Sequence, residues 1–243
     1  MDSRNSCRPG GWRFGLASLA VLCLAVTPML AQASKKNTKM ANQFRDSGAR
    51  AGTAIEKARD QLKVCMTAYD ALLESEEKQR PDLTKKLTTE LGKLEKSVED
   101  GRKQVTAFRA LAGDFFNAWE EQLATIQTAE LKAASEKRLG MAKELFENMA
   151  ENLNAASEVY GPMVASLNEQ AVLIGQDNSD AALEILNDVA PGIHSKAEQV
   201  FESIEKSLSK EISHESEMDT VMEEEAAEVG DEVEAEADAN GQG

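Results

Sequence analysis

The sequence predicts an all-α protein: an elongated antiparallel helical bundle of coiled-coil character, followed by a disordered acidic C-terminal tail. Three observations carry this. Aromatic residues make up only 5 % of the 243 and proline occurs five times, while Ala, Glu, Lys and Leu dominate, the usage of long helices rather than sheets. Apolar side chains recur at alternating steps of three and four along four long segments, which places each set on one face of a helix. From Glu215 onward twelve Asp or Glu stand without a Lys or Arg, and too little apolar surface remains there to offset the entropy of ordering. Essentially no strand is expected.

The N-terminus reads as a targeting segment. Arg4, Arg8 and Arg13 precede an apolar run from Phe14 to Leu30, and Ala31-Gln32-Ala33 leads into polar Ser34-Lys35-Lys36. A positive start, a short apolar centre and an A-x-A site are the parts of a secretory signal peptide, with cleavage expected after Ala33. The run is shorter than the roughly 20 residues of a spanning helix, and Pro28 interrupts its end, so no spanning segment is expected after cleavage. Residues 1–33 are thus a signal peptide, 34–212 a helical domain and 213–243 the acidic tail. Cleavage removes Cys7 and Cys23, leaving Cys65 without an internal disulfide partner; stability must come from packing.

The first segment, about residues 40–79, carries Phe44, Gly48, Ala51, Ile55, Ala58, Leu62, Cys65, Tyr69 and Leu72 on its stripe. Arg80-Pro81-Asp82 is expected to end it, since proline lacks the amide hydrogen of a helix interior. The second repeats the spacing through Leu87, Leu91, Leu94, Val98, Gly101, Val105, Phe108, Ala112, Phe115, Trp119, Gln122 and Ile126, a sustained 3.5-residue period. At about 1.5 Å per residue, residues 82–126 form a rod of roughly 65 Å. Thr128 stands where it can cap a third segment, striped by Leu139, Ala142, Phe146, Met149, Leu153, Ala156, Tyr160, Met163, Leu167 and Ile174; Gly161-Pro162 is expected to kink or break it. Asp177-Asn178-Ser179 reads as the next turn and cap. The fourth segment runs to about Ile212 through Leu183, Leu186, Val189, Ile193, Val200, Ile204 and Leu208, interrupted at Pro191-Gly192. Similar lengths and short connectors favour one up-down four-helix bundle; two hairpins paired across a homodimer satisfy the same stripes.

From Phe116 to about Leu208 the chain resembles an uncharacterised family of exported bacterial helical coiled-coil proteins, catalogued as a domain of unknown function. The resemblance rests on Phe116-Asn117-Ala118-Trp119-Glu120-Glu121-Gln122-Leu123, on Leu131, Ser135 and Leu139 at four-residue steps, and on Pro162-Met163-Val164 with Leu167 and Gln170 behind it. Upstream, Glu56-Lys57-Ala58-Arg59-Asp60 is similar to the family's opening helix. The chain departs from the family at Gly175, Gln176, Asp177 and Asn178, where the family shows a basic and polar block. The resemblance implies helical architecture and export and brings no activity with it.

No residue set points to chemistry. A formal charge of −16 argues against nucleic acid, whose phosphates need clustered Lys and Arg, and against docking on anionic lipid. Glu211 and His214 have the Glu-x-x-His spacing of di-iron bundles, but the second histidine, His194, has Pro191 at the matching place, so the motif has no second copy and a solvated helix end is expected. Cys65 lies on the apolar stripe between Leu62 and Tyr69, the setting of a buried core thiol rather than a nucleophile. Phe115 and Trp119 are i and i+4 on one stripe with Phe116 beside them, which favours core packing over a ligand platform. The tail has carboxylates for Ca²⁺ but no EF-type loop, so it reads as solubilising. An enzyme, a cofactor and a metal are therefore not expected. The function expected is a structural or protein-interaction component of the bacterial cell envelope, exported and periplasmic, with protein partners and a possible homo-oligomer. The alternatives are a periplasmic holdase-type chaperone and a helical-bundle metal protein.

Overall fold

The computed structural model describes residues 35–208, and the side chains of 39–208. The expected signal peptide, 1–33, the expected acidic tail, 213–243, and Glu211 and His214 lie outside the described residues. Four helices follow one another: α1 (Lys35–Leu73), α2 (Arg80–Leu123) and α3 (Ala129–Gln176), then α4 over residues 180–208. Among the described residues there is no strand.

The four helices form one antiparallel bundle within a single chain. The long α1–α2 hairpin is pinned where Gln61 Nε2 donates to Glu90 Oε2 at 2.8 Å. α3 returns along α2, with Trp119 Nε1 donating to Ser135 Oγ at 3.1 Å near one end and Asn168 facing Glu95 towards the other. α4 lies along α1, where His194 Nε2 stands 3.2 Å from Asp70 Oδ1 and the Lys63 ammonium lies 5.9 Å from the Phe201 ring centre. The Tyr69 hydroxyl donates to Gln170 Oε1 at 2.5 Å across the interior, joining α1 to α3.

The stripes on α1 to α3 face the core. Phe44, Gly48, Ala51, Ile55, Leu62, Cys65, Tyr69 and Leu72 on α1 are buried, as are Leu87, Leu91, Leu94, Phe108, Ala112, Phe115 and Trp119 on α2. Each large apolar side chain so covered contributes about 1.5–3 kcal/mol before entropy. Ala54, Met66 and Ala68 are buried beside the α1 stripe, because a helix in a four-helix core hides a wider face than one in a two-stranded coil.

Three boundary expectations and one helix face are corrected. Arg80-Pro81-Asp82 does not end the first helix; α1 stops at Leu73, and Arg80 opens α2 with Pro81 in its first turn. Proline suits that place, since the first amides have no intrahelical acceptor to lose and its φ is already helical. Gly161-Pro162 does not break α3, which runs unbroken through Pro162 to Gln176, and Pro191-Gly192 does not break α4. Both prolines are exposed while Met163, Val164 and Leu167, or Ile193, Ala197 and Val200, are buried just beyond, so packing on the far side holds each helix together across its proline. The face expected of α4 is corrected as well, since Val189 is 45 % exposed. The core stripe of α4 runs instead through Ala182, Leu186, Ala190, Ile193, Ala197, Val200 and Ile204; its alanines carry the phase, and the larger Val189 points outward.

The caps divide. Thr128 occupies the cap position of α3 but its side chain makes no capping bond. At the α3–α4 connector, Asp177 Oδ1 accepts the Ser179 amide at 3.0 Å and Ser179 Oγ accepts the Ala182 amide at 3.3 Å, the turn and cap that Asp177-Asn178-Ser179 predicts. Arg80 locks the same end of the bundle: its buried guanidinium donates to the Asn178 carbonyl at 2.6 Å and pairs with Asp180.

α3, about 72 Å long, runs from the Asp177 connector to the opposite end of the bundle. Aromatic side chains concentrate there. Phe44 stacks on Phe108 and Phe115 with ring centres 4.9 and 4.5 Å apart, and Phe146 meets Phe108 and Phe116 edge-on.

Candidate functional site

Midway along the bundle the inward stripes shrink together. α1 offers Ala54 and Ala58, α2 Gly101, and α3 Ala156, so opposing backbones stand with little side-chain volume between them. The result is a cleft of about 300 Å³, at the small end of the range of ligand pockets. All four helices line it. Ile55 and Ala58 of α1 with Val200 and Ile204 of α4 form the floor, and Val98, Val105, Leu153 and Tyr160 the walls.

The exposed lining residues belong to α2 and α3: Arg102, Thr106, Asn154 and Ser157. The opening is therefore the α2–α3 seam. Two arginines of α2 bridge it. Arg102 Nη2 donates to Ser157 Oγ at 3.1 Å, and Arg109 Nη2 donates to the Ala150 carbonyl and to Asn154 Oδ1, both at 3.2 Å. Neither guanidinium forms an ion pair among the described residues.

Two polar atoms of the lining are buried without a hydrogen-bond partner among the described residues, Arg109 Nε and the Tyr160 hydroxyl. Burial, with the negative charge of Glu95 behind it, pushes the Tyr160 phenol up to about 12. The hydroxyl is thus a neutral donor at physiological pH. Chemically, the site presents an apolar trough with cationic hydrogen-bond donors at its lip. It holds no nucleophile beside a base.

The residues singled out in the sequence fall elsewhere. Cys65 is fully buried in the core between Leu62 and Tyr69; burial, then the charge of Glu90, pushes its thiol up to about 12, so it carries no thiolate at neutral pH. Phe115, Phe116 and Trp119 are all buried, with Phe115 and Trp119 edge-on at 5.7 Å. His194 pairs with Asp70 on the half-exposed face of the α1–α4 seam, and no group of three metal-capable side chains gathers among the described residues. The cleft itself was missed. Its signal was present, since Ala58, Val98, Val105, Leu153 and Tyr160 are all stripe positions, yet each is only half-buried. Recognising it needs the register that aligns Ala58, Gly101 and Ala156, and spacing along one helix does not contain the register between helices.

The fold and the cleft define a class: an elongated all-α four-helix bundle with an apolar trough between its rods. Among the described residues no helix is long and apolar enough to cross a membrane. Residues 34–218 match the family described as Protein of unknown function (DUF2959), and the chain belongs to that family. No curated protein and no solved structure matches the chain.

Proposed function

We propose that this chain is a non-enzymatic protein-interaction component of the bacterial cell envelope. One observation carries the reading. Ile185 and Val189 stand one turn apart on the outer face of α4, 55 % and 45 % exposed, and Val172 of α3 is also exposed at that end of the molecule. Single exposed apolar residues are ordinary, but an i, i+4 pair continued by Ala181 one turn earlier makes an outward stripe on a helix whose other face is already used in the core. Such a stripe suits a helical partner. The Arg4, Arg8, Arg13 and Ala31-Gln32-Ala33 pattern supports export and hence the envelope as the place of work.

The holdase alternative finds its support in the apolar trough between the helices, but about 300 Å³ suits a small ligand better than a length of unfolded chain. The test is photo-crosslinking in cells making the full chain, with a reactive side chain at position 185 or 189 and at exposed Glu147 as the control. Discrete protein adducts from 185 and 189, found in the envelope fraction, are expected. Adducts no different from those at 147, or a full-length chain retained in the cytoplasm, overturn the reading.

A further inference from the structure

We propose that the cleft between the four helices binds a single-chain carboxylate, a fatty acid of medium length, with its acyl chain in the trough and its carboxylate held at the lip by Arg102 and Arg109. The proposal goes beyond the interaction reading and does not depend on it.

Charge complementarity selects the head group. The chain as a whole carries −16, and other basic groups of the described bundle, such as Lys93, Lys143, Lys206 and Arg80, pair with carboxylates. Arg102 and Arg109 have none, although they flank the apolar recess lined by all four helices. Their acceptors on α3, Ser157 and Asn154, are three residues apart, which are neighbours on a helix surface, so the two guanidinium groups are drawn towards one place. Each hydrogen bond shown uses one terminal nitrogen, leaving further N–H donors in each fork for a carboxylate. Arg109 Nε is moreover buried and unpartnered, a donor that an anion at the lip would satisfy.

The trough selects the tail. Ile55, Val98, Val105, Val200 and Ile204 give it apolar walls, and from Val98 to Arg109 it follows α2 for about 16 Å, room for one extended acyl chain and not for two. A two-chain lipid therefore does not fit. The Tyr160 hydroxyl is the second unpartnered polar atom in this lining. Glu95, the carboxylate acting on Tyr160, faces Asn168 Nδ2 at 3.5 Å and lies about two turns from Arg102 and four from Arg109 along α2, away from the proposed head group.

The test is titration calorimetry on the full chain with dodecanoate, kept below its micelle concentration, and with dodecanol and dodecyltrimethylammonium as matched probes. Saturable binding of one dodecanoate per chain is expected, at least tenfold tighter than either matched probe. The double variant Arg102→Gln/Arg109→Gln should weaken dodecanoate at least tenfold at an unchanged helical circular-dichroism signal, and Arg102→Lys/Arg109→Lys should recover part of the loss. Ala156→Leu should fill the trough and abolish binding; if it fails to fold, the lip variants decide. No saturable binding of dodecanoate, equal binding of the cationic or neutral probe, or an unaffected Arg-to-Gln double variant overturns the proposal.

Discussion

At the scale of single residues, burial determines chemistry more than residue type does. Cys65 is the one thiol among the described residues and looks reactive on paper, yet its thiol is covered and held protonated to about pH 12. Labelling by a thiol reagent at pH 8 should be at least a hundredfold slower in the folded protein than in denaturant; equal rates would show that Cys65 is open to solvent. Tyr69 and Tyr160 are shifted the same way, also to about 12, chiefly by burial. A raised folded pKa means that the native state keeps its proton after the unfolded chain has released it. The stability these three groups contribute is therefore intact below about pH 9 and is lost as pH climbs towards 12. Urea midpoints measured from pH 7 to 11 should fall on the alkaline side, and a flat profile would contradict the burial of the three. Trp119 tests packing. Trp119→Ala should cost about 3–5 kcal/mol, while Ser135→Ala, which removes the acceptor of the buried indole N–H, should cost about 1–3 kcal/mol; urea melts measure both.

At the scale of helices, sequence spacing was a reliable guide to faces and a poor one to ends. The stripes of α1 and α2 were legible because Phe44, Leu62, Leu87, Leu94 and Phe108 are large, apolar and in phase. On α4 the phase is carried by Ala182, Ala190 and Ala197, whose small side chains give a weak signal, so Val189 was drawn onto the wrong face. Proline was read as a breaker at three places, and in each the surrounding residues decided otherwise. Pro81 sits where its missing amide costs nothing. Pro162 sits inside α3, where it forfeits a backbone hydrogen bond that tertiary packing must outweigh. Because Pro162 is exposed, Pro162→Ala should raise stability by about 1–3 kcal/mol, read as a higher melting temperature. A fall would mean that a bend at Pro162 is needed to seat Met163 and Leu167.

At the scale of the whole molecule, the all-α bundle was visible from composition and period alone, and the question of one chain or two was answered by contacts that no single helix encodes. Tyr69 reaching Gln170, and Asp70 meeting His194, close the bundle within one chain. The cleft belongs to this scale too: it exists only because Ala58, Gly101 and Ala156 come to the same height when the rods are laid side by side.

Val200 and Ile204 of α4 are also the floor of that cleft. Seating of this stretch and filling of the trough are in consequence two readings of one equilibrium, since a guest bound only when the floor is in place must favour the docked state by mass action. In hydrogen exchange, amides 193–208 should slow when dodecanoate is added, while those around Trp119, locked among their rings beyond the cleft, keep their rate. A uniform slowing along the chain would mean that the rod opens as one unit, and that α4 is not a separately hinged stave.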